Sequence, residues 1–170
     1  MRWCLTLLLG LLLSTASFAK DRDYPGGNFS IYIPDDWSAP SVLPKGLQAG
    51  FISPDRTVTV EIMVAHGNSQ VTASEFLDSV RERLSRSFKL NPVHKLSGAK
   101  QPMEYMVGVN DKGQEMGTYV AADGKVLYMV RVTSLNGGIE TNPQIRAILK
   151  SFIVLVPAQI PKNSTPVGGS

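Results

Sequence analysis

Two adjacent carboxylates, Asp35 and Asp36, stand between Pro34 and Trp37, where an acid–base pair would be sought first. Such chemistry needs two carboxyls that converge on one bond, in surroundings that split their pKa values. Adjacent side chains on an extended turn diverge instead, and Asp in such a place bonds its own backbone. The pair is therefore read as a strand end, with Pro34 withdrawing a ladder donor. Trp37 is expected to plug one end of a sheet and to give its indole N–H to a partner.

The remaining reactive residues are few. His66 and His94 are the two histidines, and neither has a His, Asp or Glu at a spacing such as His-x-x-x-His. No metal and no cofactor is expected. His66 could serve a hydrolase together with a distant serine and aspartate. No Gly-x-Ser-x-Gly elbow accompanies it, and a lone loop histidine is the simpler reading. Gly26-Gly27 and Gly137-Gly138 match neither a phosphate loop nor a dinucleotide fingerprint.

Stability must come from packing. The N-terminus, MRWCLTLLLGLLLSTASFAK, has a positive Arg2, an apolar run from Leu5 to Leu13, and small residues before Lys20. It reads as a signal peptide over residues 1–19, cut after Ala19, because a membrane span needs ~20 apolar residues. The expected address is the periplasm or the outside of the cell. Cleavage removes Cys4, the single cysteine, and with it any disulfide or thiolate chemistry. A core can suffice, since a domain of about 150 residues buries ~70% of its unfolded surface. The formal net charge of +3 is too mild to suggest nucleic acid.

The elements that must position these residues follow from periodicity. Residues 20–27 read as a linker and 28–156 as one domain, with a disordered Pro-, Gly- and Ser-rich tail over 157–170. Alternation predicts strands near Phe29–Ile33, in QAGFIS and in TVTVEIMVA, the last two joined by Pro54-Asp55. A helix is predicted from Thr72 to Lys89, with a Thr72/Glu75 capping box and a stop at Asn91-Pro92. MEYMVGV, QEMGTYVAA and KVLYMVRVTS then form a meander, with Asp123-Gly124 as a two-residue hairpin signal. Asn142-Pro143 starts a second helix. The class is α+β: one antiparallel sheet of about six strands flanked by two helices, an α/β/α sandwich.

The opening FSIYIPDDW, with its aromatic-x-aliphatic-x-x-Pro-x-x-Trp pattern, resembles the start of the PsbP-like superfamily. KVLYMVRVTS followed by NPQIRAILKSF resembles that group's last strand and closing helix. The superfamily includes the extrinsic PsbP subunit of photosystem II, a Ran-binding Mog-type import factor and many bacterial domains of unknown function. The resemblance implies an adaptor, assembly factor or chaperone rather than an enzyme. It carries no functional residue over to this chain.

Three surfaces are candidates. Tyr32, Met63, Met106, Tyr119 and Met129 are assigned to the sheet face opposite Val58, Val60, Ile62 and Val64, with Glu61, Glu104 and Arg131 at its rim. If uncovered, that face would bind another protein or a small apolar ligand. If the second helix covers it, it is core. Arg81, Arg83, Arg86 and Lys89 form a basic run that could meet an anionic membrane surface, although such runs usually only keep a helix face wet. His66 is the third.

Overall fold

The structure is a computed structural model, and it describes residues 21–156. The expected signal peptide, 1–19, and the expected tail, 157–170, lie outside the described residues.

The chain begins with a hairpin. Strand β1 (Asp21–Tyr24) turns through the short 3-10 segment Pro25–Gly27 into β2 (Phe29–Tyr32). Asn28 takes a left-handed φ of 55°, a conformation its short polar side chain tolerates. Residues 21–24 are thus not linker. The polar Asp21-Arg22-Asp23 carries no apolar alternation because β1 is an edge strand, where charges are tolerated. Pro34 to Trp37 closes a turn, with Trp37 N–H donating to the Pro34 carbonyl at 3.1 Å. Asp35 and Asp36 sit exposed in its middle.

The main sheet holds seven strands, in the order β3 (Ala49–Ile52), β4 (Val58–His66), β9 (Val126–Ser134), β8 (Glu115–Asp123), β7 (Glu104–Val109) and β5 (Lys89–Leu90), with β6 (His94–Lys95) also paired to β7. The strands β5, β6 and β10 (Ile153–Val154) are two residues each, too short to leave a periodic signature, so the expected sheet was smaller. β10 joins β1 and β2 in a separate three-stranded sheet. The Pro54-Asp55 turn is held by the Asp55 carboxylate, which accepts from Ser53 Oγ at 2.6 Å and from Thr57 N–H at 3.1 Å.

Helix α1 (Ala73–Leu84) starts as expected: Thr72 Oγ1 accepts from Glu75 N–H, and the Glu75 carboxylate accepts from Thr72 N–H at 2.8 Å. It ends earlier than expected. Ser85 turns its hydroxyl to the Glu82 carbonyl, and Lys89–Leu90 pairs with β7 instead of continuing the helix. A Cβ at Gly108 would lie 2.6 Å from Leu90 Cδ2 and 2.8 Å from Phe88 Cβ, so this crossing of chains requires glycine. Helix α2 (Pro143–Ser151) is capped by Asn142 Oδ1, which accepts from Gln144 and Ile145 N–H.

The two helices lie on opposite faces of the main sheet. One face packs Val60, Ile62, Val107, Tyr119, Val130 and Val132 against α2 and the three-stranded sheet. The other packs Met106 and Val120 under Leu77 of α1. Trp37, 4% exposed, belongs to the first cluster, but its indole N–H has no partner, contrary to expectation.

Burial raises the pKa of Tyr24, Tyr105, Tyr119 and Tyr128. For Tyr105, the hydrogen bond its hydroxyl donates to Glu140 adds to the effect. The folded chain therefore keeps phenol protons that the unfolded chain releases at the ordinary value near 10. These groups favour the fold below that value, and the advantage is lost as pH rises from it toward the folded values. Melting temperature followed from about pH 8 to 12, alongside tyrosinate absorbance, should stay level with respect to these groups and then fall above about 10. Tyrosines that ionise normally with no loss of melting temperature would contradict this.

Candidate functional site

Of the residues assigned to one methionine- and tyrosine-rich face, Met63, Met106 and Met129 share a side of the main sheet, whereas Tyr32 and Tyr119 lie elsewhere. Tyr32 is on β2 in the small sheet, half-buried, with its N–H bonded to Ser151 Oγ at 2.8 Å. Tyr119 pairs with Val130 in register and stacks on Tyr105 at 4.8 Å, on the Val and Ile side of the main sheet. The strand QEMGTYVAA is apolar at both parities, so alternation could not assign its face. Met106 is on the opposite side and is 1% exposed beneath α1. The covering element is thus α1, where α2 had been considered.

Met63 and Met129 stay together. They oppose each other in the β4–β9 register, and both are half-buried. Beside them Arg131 donates to the Glu61 carboxylate from Nε at 2.7 Å and from Nη2 at 2.6 Å. This cross-strand pair is part exposed, so it adds at most about 1 kcal/mol.

The basic run is partly neutralised. Arg81 lies 3.7 Å from Asp78, and Arg86 lies 3.6 Å from Glu82. Lys89 is on β5 rather than the helix. Arg81, Arg86 and Lys89 do line a shallow hollow of about 740 Å³, but Asp78, Glu82 and Asp111 share its wall. Arg83, in the last turn of α1, is not among its lining residues.

The histidines stand apart. His66 is exposed at the end of β4, and among the described residues no hydrogen bond joins it to a serine or a carboxylate. His94 is exposed on β6, its ring 5.8 Å from that of Tyr105. Among the described residues no group of three or more His, Cys, Asp or Glu is placed to hold a metal.

A larger hollow lies elsewhere. A groove of about 1020 Å³ opens between the N-terminal turn of α1, the connection from β6 to β7, and the β8–β9 turn. Its walls are mainly apolar: Val71, Ala73, Leu96, Pro102, Met103 and Ala122. The capping box sets one wall, because it fixes where α1 begins. The hydrogen bond from Leu96 N–H to the Met103 carbonyl, at 2.9 Å, pins the loop that forms the other.

Three charged residues reach this groove, Glu75, Lys95 and Glu104. The Glu75 carboxylate is engaged by the Thr72 N–H first and the Thr72 hydroxyl second, which hold its pKa below the ordinary range. Lys95 is exposed at the rim. Glu104, the first residue of β7, has a buried Oε2 with no hydrogen-bond partner. Lys95 faces it across the β6–β7 register without forming an ion pair. Sequence reasoning placed Glu104 only at a rim. The available signal was a carboxylate opening the otherwise apolar MEYMVGV.

No protein-family model matches the chain, and no curated protein matches it in sequence. Solved structures share its architecture. Cyanobacterial PsbP (CyanoP) from Synechocystis sp. PCC 6803 superposes with a TM-score of 0.57 at 12% identity, over 86% of this chain and 98% of that one. LpqN of Mycobacterium tuberculosis, which is involved in cell envelope biogenesis, gives 0.57 at 9% identity, over 84% of this chain and 88% of its own. A protein of Bacteroides thetaiotaomicron gives 0.55 at 18% identity over 82% of this chain, which spans 50% of that protein's length. At such identities the likeness concerns backbone architecture alone: the chain carries a PsbP-like α+β fold, with helices on both faces of an antiparallel sheet.

Proposed function

We propose that the chain is an exported, non-enzymatic binding or assembly module that holds its ligand in the groove at the start of α1. The observation that carries this reading is the groove itself, about 1020 Å³ and walled mainly by apolar side chains. Such a volume matches sites that enclose small molecules, and a few polar groups in such walls orient the ligand. The signal-like N-terminus supports export, and the involvement of LpqN in cell envelope biogenesis is compatible with it. The adaptor or assembly character rests on the sequence resemblance to the PsbP-like group.

Filling the groove tests this. Ala122 lies in its lining and is half-buried, so Ala122→Trp should occupy the cavity while the rest of β8 stays paired. Native mass spectrometry of the full chain, purified gently from the producing cells, should show a non-covalently bound species. Ala122→Trp should remove that species and leave far-UV circular dichroism unchanged. A wild-type protein with no bound mass, or a bound mass that survives the substitution, would count against the groove.

A second reading, docking of a protein partner, is favoured by Met63 and Met129, which face each other on β4 and β9 and are half-buried, with Met129 packed against the edge of the Leu77, Met106 and Val120 cluster. Methionine surfaces adapt to irregular partners. A folded Met63→Glu variant should then lose the partner, whereas a groove ligand should be retained.

A further inference from the structure

We propose that the ligand of this groove is a small amphiphile bearing a cationic amine, with the ammonium on Glu104 and the apolar body on the groove walls; this rests on the groove being the binding site. Glu104 lines the groove and is half-buried; its Oε2, buried and unpartnered where it stands, meets a groove ligand once the side chain turns outward, and a buried carboxylate oxygen left without a donor favours that turn. The other charged groups of the groove do not supply one. Glu75 is itself an acceptor and is committed to Thr72. Lys95, opposite in register, forms no ion pair with Glu104.

The positive end of α1 does not reverse this preference. Glu75 N–H is bonded to Thr72 Oγ1, and the Glu75 carboxylate lies against the helix start, offsetting the end's positive potential. Beyond Glu104 the walls offer Val71, Ala73, Leu96, Pro102 and Met103, which suit an alkyl or aryl body rather than a second charge. An ammonium held on a buried carboxylate forms a charge-assisted hydrogen bond, stronger than that of a neutral donor.

The test uses the full chain and three probes of equal length: n-octylamine, 1-octanol and octanoate, titrated by calorimetry. Octylamine should bind about tenfold or more tighter than either of the others, as a charge-assisted contact requires. Glu104→Gln should remove that preference while leaving octanol affinity within about twofold. Equal binding of all three probes, abolished by Ala122→Trp, would overturn the amine assignment and keep the groove. Octylamine binding that survives Ala122→Trp would place it elsewhere and overturn the proposal. No binding by any probe would overturn the amine assignment, and with a native bound mass also absent the groove reading falls too. A tenfold gain in octylamine affinity on Lys95→Ala would identify Lys95 as the native partner of Glu104 and overturn the assignment as well.

Discussion

Met106→Glu should unfold the domain, whereas Met63→Glu should leave it folded. Both methionines were assigned to one face from sequence, and their substitution separates the covered half of that face from the open half. Met106 is 1% exposed and packs with Leu77 and Val120 beneath α1. A carboxylate there would have neither water nor a cation, at several kcal/mol. Total stability is about 5–15 kcal/mol, so the loss is decisive. Met63 is half-buried on β4, while α1 lies over β7 and β8. A carboxylate at that position can turn to solvent, at about 1 kcal/mol or less. Urea denaturation followed by circular dichroism reads both. An unfolded Met63→Glu protein would mean that the β4–β9 half is also core, and it would remove the second functional reading.

Phe152→Ala should lower stability by about 3–5 kcal/mol, the range for a fully buried aromatic. Phe152 is 0% exposed and follows α2 directly, where helix, main sheet and small sheet converge. Its ring stacks on Phe29 of β2 at 5.6 Å and tilts against Tyr128 of β9 at 5.9 Å. Truncation leaves a cavity bounded by two sheets, and paired strands cannot collapse into it as a loop could. The urea midpoint should fall with little change in slope, and Phe152→Leu should recover most of the loss. A loss under about 1 kcal/mol for the alanine variant would show that the three layers are not joined through this ring.

The parts legible in the sequence were those with local causes. Thr72 and Glu75 satisfy each other within one helical turn, so the start of α1 could be named from four residues. Asn142 and Pro143 did the same for α2. Val58, Val60 and Ile62 alternate with polar neighbours, and all three are buried as that pattern requires. Asp123-Gly124 marked the β8–β9 hairpin, whose register does pair Asp123 with Val126.

Other features had no local cause. The end of α1 depends on Gly108 of β7, which makes room for Phe88 and Leu90. The side taken by Tyr119 depends on the β8–β9 register, since that strand is apolar at both parities. The three-stranded sheet depends on β10 reaching back to Phe29 and Ser30. The groove depends on a loop, a helix start and a hairpin that are far apart in the chain.

By itself, then, the sequence determined the α+β class, the helix starts, the principal hairpins and the resemblance to the PsbP-like group. Each of these rests on interactions spanning a few residues, or on the period of one strand. The tertiary structure alone decided which half of the sheet α1 covers, which methionines stay accessible, and that one carboxylate oxygen of Glu104, Oε2, ends buried without a partner. Those outcomes are set by register and packing between distant segments, where a shift of one residue exchanges the faces of a strand.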